Sequence, residues 1–269
     1  MSSYVVTGAS RGIGFEFISQ LSSDGKNTVF AIVRNKATAT KLNDLPRKNI
    51  IVLEADITDP KALKAAASEV SKVTGGKLDY LINNAASNNS PGVTLSKFYA
   101  DVVFSPTTEA LEEDLLTNFR VNVMGTIYCT NAFLPLLQKG SAKKVISLSS
   151  GLGDLDLTLQ SEGPGQASYS IAKAALNMAV AKYAVEYKGE GFVFLSISPG
   201  IVNTATAPPT PQQLDEMQML MKAVGKIAPA FKGPITPEES VKMQLDVIHK
   251  WTVEETGAFI SHFGNKQWL

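Results

Sequence analysis

The chain has 269 residues, 44% hydrophobic and 19% charged, with 25 basic and 25 acidic side chains. That length suits one large α/β domain, and the balanced charge gives no general field for nucleic acid or an anionic membrane surface. The single cysteine, Cys129, cannot form an internal disulfide, and His249 and His262 lack a ligand cluster, so no metal site is expected. No apolar run reaches bilayer length. The apolar residues 4–6 lead straight into glycines, which leaves no room for a secretory signal. A cytoplasmic protein without membrane contact is expected.

Residues 4–7 form a short β-type run. Gly8-Ala9-Ser10-Arg11-Gly12-Ile13-Gly14 follows, and residues 15–21 read as helix. Strand, glycine turn and helix in that order is the context of a dinucleotide-binding turn. Gly8 allows the tight turn, Gly12 lets the backbone approach a pyrophosphate, and Gly14 lets helix pack close to strand. The helix N-terminus then faces the phosphates with unbonded N–H groups. Residues 27–33 make a second strand, ending in Arg34-Asn35-Lys36. NAD-binding chains of this kind carry an acid near here for the ribose 2′-OH. This chain offers Arg34 and Arg11 instead, which points to NADP(H).

Residues 50–54 are a third strand, followed by Ala55-Asp56. Asp59 and Pro60 start a helix as N-cap and first residue, and Gly75-Gly76 stops it. Residues 78–82 are a fourth strand, ending in Asn83-Asn84-Ala85-Ala86, and residues 87–106 read as loop. Thr107 or Thr108 caps a helix that carries Asn122 among apolar residues and continues past Pro135 with a kink. A buried amide must find partners, so Asn122 is either a satisfied core residue or part of a site. Residues 144–148 are a fifth strand with Ser149-Ser150 at its carboxyl end, where ligands bind in open α/β sheets. Residues 154–165 read as an exposed loop.

Residues 166–187 read as one long helix bearing Tyr169 and Lys173. Positions i and i+4 share a helix face. A phenol titrates near pH ~10, and a neighbouring cation lowers that value. The pair is therefore expected to act as a general acid or base near neutral pH. Taken alone, Tyr-x-x-x-Lys is more often a half-buried ring beside a solvated amine. Residues 192–198 are a sixth strand closed by Pro199-Gly200, and residues 201–236 are a long proline-rich excursion. Within it, residues 212–224 carry an apolar stripe of Leu214, Met217, Met221 and Val224, the pattern of a lid. A helix from Thr236 and Pro237 to about residue 249 and a last strand at 258–261 complete the chain. The alternation predicts a Rossmann-type, doubly wound parallel sheet in three α-β-α layers. It forms a single domain over residues 1–269, with a substrate lid at about 203–235.

Thr7 to Gly14, Asn83-Asn84-Ala85, Asn122, Ser149-Ser150, Tyr169-x-x-x-Lys173 and Pro199-Gly200 together resemble the short-chain dehydrogenases/reductases of the compact, single-domain kind. The resemblance covers nearly the whole chain. Phe30-Ala31-Ile32-Val33-Arg34-Asn35 and the Gln267-Trp268 tail are most similar to the sniffer-like carbonyl reductases and the norsolorinic acid ketoreductase group. The resemblance implies that Tyr169 protonates a carbonyl oxygen as hydride arrives from NADPH. It gives Lys173 the tasks of lowering the Tyr169 pKa and binding the nicotinamide ribose. Ser150, ahead of Ser149, holds the substrate oxygen, and Asn122 holds a proton-relay water. It assigns Gly8, Ser10, Arg11, Gly12, Ile13, Gly14 and Arg34 to the phosphates. Asp56 and Ile57 go beside the adenine, and Asn83, Asn84 and Ala85 along the adenosine. Pro199, Gly200, Ile201, Val202 and Thr204 fall at the nicotinamide end. Nineteen positions separate Ser150 from Tyr169, more than the commonest family spacing, which puts extra chain at the mouth of the substrate pocket. Family members commonly form homodimers or homotetramers through the helices of Asn122 and Tyr169.

The leading expectation is an NADPH-dependent carbonyl reductase acting on a small-molecule ketone or aldehyde. A non-reductive NADP(H)-binding sensor on the same scaffold is the alternative, disfavoured by the intact set of Asn122, Ser150, Tyr169 and Lys173. An extended-branch epimerase or dehydratase fits neither the glycine pattern nor the short C-terminal part.

Overall fold

In a computed structural model, the structure describes residues 1–88, 108–162, 165–205 and 210–269. Seven parallel strands form one sheet: β1 (Ser3–Thr7), β2 (Thr28–Val33), β3 (Ile50–Glu54), β4 (Tyr80–Asn83), β5 (Lys144–Leu148), β6 (Val193–Ser198) and β7 (Phe259–Ser261). Their spatial order is β3-β2-β1-β4-β5-β6-β7. The order reverses between β1 and β4, and a crevice opens there at the carboxyl ends of the strands.

The strand alternation builds two cores. Val5, Phe30 and Ile32 face one side, against α3 (Pro60–Thr74), α5 (Thr126–Leu137) and α7 (Ala167–Glu186). Tyr4, Val6, Val29 and Ala31 face the other, against α1 (Gly12–Leu21) and α9 (Pro237–Lys250). Each fully buried large apolar side chain, such as Phe17, Phe133 or Leu63, contributes about 1.5–3 kcal/mol. Three layers and a single α/β sheet are therefore as expected from the strand-helix alternation.

Local signals explain the element ends. The Asp59 carboxylate accepts the Lys61 and Ala62 amides at the start of α3, Pro60 follows, and Gly75 closes the helix with φ 65. Thr236 and Glu239 form a capping box ahead of α9.

Three features differ from expectation. Residues 154–165 are not all loop: Asp154 caps a short helix, α6 (Leu155–Ser161), by accepting the Leu157 amide. The helix bearing Asn122 continues past Pro135, as expected, with that proline inside α5, but it carries an unexpected irregularity earlier, where α4 (Thr108–Phe119) passes through a π turn, Arg120–Gly125, into α5. The amphipathic stretch of the excursion extends to α8 (Pro211–Ile227). The base of the excursion is closed by a bridge between Val202 and Ile235. The expected loop at 87–106 and the cap at Thr107 or Thr108 fall largely outside the described residues. Among the described residues, no helix is long and apolar enough to cross a membrane.

Candidate active site

The glycine turn sits at the crevice. Gly8 and Gly12 adopt φ 66 and 56, conformations that favour glycine. A Cβ on Gly8 would lie 2.8 Å from the Ala85 Cα. One on Gly12 would lie 3.3 Å from the Thr204 methyl, so the segment after β6 reaches across to the turn. A Cβ on Gly14 would fall on the Gly8 carbonyl and the Asn84 amide. Arg11, the residue before α1, makes no side-chain cap, and the first turn of α1 holds no acid. The amides and the positive end of that helix are left to an anion. The cradle is sized for bare backbone and fits a pyrophosphate.

Asn83, Asn84 and Ala85 line the next strand end, with distinct tasks. The Asn84 amide donates to the Thr7 and Gly8 carbonyls at 2.9 and 3.2 Å. The Asn84 and Ala85 backbone amides both donate to the Thr7 hydroxyl at 3.0 Å. These bonds fix the glycine turn against β4. Asn83 points instead towards α5, donating to the Thr130 hydroxyl at 3.1 Å, and its amide oxygen is buried without a partner among the described residues.

At the far end of the crevice, Asp56 accepts the Thr58 amide and hydroxyl, each at 2.8 Å. Burial raises the Asp56 carboxyl, but those bonds and the nearby Arg34 and Arg120 outweigh it, leaving it below the usual carboxylate range. Ile57 packs against Gly125 of the π turn. Arg34 and Arg11 are exposed. The sheet register sets Glu54 opposite Val33, and its carboxylate accepts the Lys36 amide at 2.8 Å. The sequence places no acid after β2, and only the sheet pairing brings this one there.

The reactive end centres on α7. Lys173 is 2% exposed and donates to the Leu148 carbonyl at 2.7 Å. Its nitrogen stands 5.4 Å from the centre of the Tyr169 ring. The Tyr169 phenol lies beside the Ser150 hydroxyl. Ser150 also accepts the Leu152 amide at 3.2 Å and begins the 3-10 turn Gly151–Gly153. Ser149 is buried, and its hydroxyl has no partner among the described residues. The electrostatics run against the expected lowering of the tyrosine. Burial pushes the Tyr169 phenol up to about 12, with the Ser150 hydroxyl pulling the other way. Burial brings Lys173 down to about 7. Low-dielectric surroundings disfavour both charged forms, so Tyr169 is held as a neutral phenol, the form that donates a proton.

Asn122 lies in the π turn, 1% exposed. Its side chain clasps the Ser87 backbone, accepting the amide at 3.1 Å and donating to the carbonyl at 2.9 Å. The Thr126 hydroxyl donates to the Asn122 carbonyl at 3.0 Å. The side chain also donates to the Asn118 amide oxygen at 3.3 Å, so it is spent on Ser87 and Asn118. The carbonyl, which has two lone pairs, is the part left for a water.

After β6, Gly200 takes φ 83, and a Cβ there would lie 2.7 Å from the His262 ring. The Ser240 hydroxyl donates to the Pro199 carbonyl at 2.7 Å. His262 and Ser240 thus support the Pro199-Gly200 turn from below. Burial lowers the His262 pKa, partly countered by the Ser198 backbone, and its Nδ1 has no partner among the described residues. The sequence treats His262 only as a failed metal ligand, because nothing local signals its contact with Gly200. Among the described residues, no group of three or more His, Cys, Asp or Glu is placed to hold a metal.

A model of the short chain dehydrogenase family matches residues 3–215. The chain is 44% identical over 278 residues to Short chain dehydrogenase virK of Hypocrea virens, with both chains fully covered. It is 43% identical to Short-chain dehydrogenase/reductase atnB of Arthrinium sp, again over both whole chains. Among solved structures it resembles the NADPH-bound carbonyl reductase from chicken fatty liver, with TM-score 0.73, 27% identity and 98% of each chain covered. Carbonyl reductase Sniffer of D. melanogaster superposes with TM-score 0.77 at 24% identity over 98% of each chain, a likeness of fold alone.

Proposed function

The chain belongs to the short-chain dehydrogenase family, and within it we propose an NADPH-dependent carbonyl reductase with Tyr169 as general acid. The observation that carries this reading is the convergence of Ser150, a neutral Tyr169 phenol and a buried Lys173 at the carboxyl end of β5. NADPH, when bound, supplies the hydride. Gly8, Ser10, Arg11, Gly12, Ile13 and Gly14 would hold its pyrophosphate by backbone approach and the α1 amides. Arg34 and Arg11 would bind the 2′-phosphate, a charge-assisted contact. Asp56 and Ile57 would flank the adenine. Ala85 would wall the adenosine, with Asn83 and Asn84 behind it as supports of the strand end. Pro199, Gly200, Val202 and Thr204 would face the nicotinamide.

At the reacting end Ser150 would orient the carbonyl oxygen and Tyr169 would deliver its proton there. A bound ribose would give the Lys173 ammonium hydroxyl partners that Leu148 alone does not, restoring its charge beside Tyr169. The Asn122 main-chain carbonyl would hold the water that returns a proton towards Lys173. Residues 203–235 would close over the substrate. The Lys226–Glu162 pair at 2.5 Å, joining α8 to α6, supports that placement. Leu214 and Met217 stand 45% and 47% exposed and give the closing segment apolar surface. Exposed Leu116 and Phe119 on α4, and Met178 on α7, support a homodimer or homotetramer through these helices. The NADPH requirement and a lone buried thiol, Cys129, favour the cytoplasm.

The test is NADPH oxidation followed with a panel of activated diketones, ketones, quinones and aldehydes. Carbonyl-dependent oxidation with formation of the alcohol is the expected result. Tight NADPH binding without turnover on any of them would support the sensor reading instead.

A further inference from the structure

Trp268 is 8% exposed although it lies outside every strand and helix. Its ring rests on Phe259 of β7, with centroids 4.5 Å apart. It also stands against Gly151. A Cβ on Gly151 would lie 3.2 Å from the Trp268 Cβ, 3.3 Å from its Cγ, and 2.9 Å from a Leu157 methyl of α6. Gly151 has no left-handed backbone, so glycine is required here for space. The opposite end of the same turn is equally close to α7. A Cβ on Gly153 would lie 2.9 Å from the Lys173 carbonyl carbon and 3.0 Å from the Ala174 nitrogen.

The turn is therefore gripped from two sides, by Trp268 and Leu157 at Gly151 and by the α7 backbone at Gly153. Its amides are all engaged. Gly151 donates to the Ser198 hydroxyl at 3.0 Å, Leu152 to the Ser150 hydroxyl at 3.2 Å and Gly153 to the Ser150 carbonyl at 2.9 Å. Ser150 begins this turn and lies beside Tyr169 of α7. The position of Ser150 relative to Tyr169 thus depends on how firmly the turn is pressed against α7.

We infer that Trp268 is a positioning residue for carbonyl reduction, holding the Gly151–Gly153 turn, and through it Ser150, in place against Tyr169. The inference rests on the reductase reading of the site. Without the indole the Gly151 end has an open side, and the turn can move away from α7. Ser150 then loses its alignment, while the glycine turn at residues 8–14, on the far side of the crevice, keeps its contacts.

Five proteins test this: wild type, W268A, W268F, S150A and the double variant S150A/W268A. Turnover of an activated diketone is expressed per NADPH-binding site, so unfolded protein does not count. A misplacement on the order of 1 Å costs about 100-fold. W268A is expected to lose about 10- to 100-fold in kcat with NADPH affinity unchanged, and W268F to recover most of it. In the S150A background, W268A should cost little more, because the two act through one contact. Costs that multiply, or full wild-type kcat in W268A, would overturn the inference.

Hydrogen exchange of the NADPH-free proteins gives a readout that needs no turnover. Amides of residues 151–154 should exchange faster in W268A than in wild type, with residues 8–14 unaffected. Equal protection of 151–154 in both proteins would overturn the positioning role. Faster exchange together with a wild type that reduces no carbonyl would instead defeat the reductase reading and leave the grip of Trp268 on the turn standing.

Discussion

Lys173→Met is expected to stabilise the cofactor-free protein while abolishing its turnover. Burial takes the Lys173 ammonium from 10.5 to about 7, and among the described residues its one bond is to the Leu148 carbonyl. At about 1.4 kcal/mol per pH unit, holding that charge inside costs the fold about 4–5 kcal/mol at pH 7. Losing the Leu148 bond offsets about 1 kcal/mol, and methionine fills similar space with apolar atoms. A net gain of about 3 kcal/mol at pH 7 follows. The folded chain binds fewer protons at this site than the unfolded chain between pH 7 and 10.5, so wild-type stability rises with pH across that window. The penalty is full below the folded value and vanishes above the unfolded one. Urea unfolding of both proteins at pH 7 and at about pH 9.5 measures the difference. The advantage of Lys173→Met should shrink towards zero at the higher pH. A variant no more stable than wild type at pH 7, or an advantage that ignores pH, would refute the buried, cost-bearing lysine. The expected pattern is a site kept at the expense of stability.

Further outcomes follow from the crevice. Arg34→Asp should weaken NADPH far more than NADH, since a lost charge-assisted contact costs about 1.5–3 kcal/mol. Fluorescence titration of both cofactors checks it, and equal wild-type affinity for the two would count against the 2′-phosphate assignment. Limited proteolysis should cut within residues 203–235 quickly in the cofactor-free protein and slowly with NADPH and a substrate analogue. Equal resistance in both states would make α8 a fixed part of the domain.

Much of this was legible locally. Asp59, Pro60, Gly75 and the Thr236–Glu239 box act within one helix turn, so sequence spacing reveals them. The apolar runs of the strands likewise show the sheet, and Gly8, Gly12 and Gly14 show the turn, because each needs a particular backbone or approach. What escaped was set by partners distant in sequence. The π turn at Asn122 goes with a clasp on Ser87, 35 residues away. Glu54 reaches the end of β2 through sheet register. His262 beneath Gly200 and Trp268 against Gly151 are contacts across the fold. The rise of the Tyr169 pKa escaped for another reason. Spacing shows that Lys173 shares its face, but only the fold shows that both are buried enough for desolvation to dominate.

The central claim is that Tyr169 gives the proton in an NADPH-driven carbonyl reduction. Tyr169→Phe keeps the ring and removes the hydroxyl, so it isolates that step. NADPH affinity and turnover of an activated diketone, measured side by side in wild type and Tyr169→Phe, test it most directly. The account predicts unchanged NADPH binding and a loss of kcat of at least about 10²-fold, the usual range of a general acid. Near-wild-type turnover in Tyr169→Phe would contradict it.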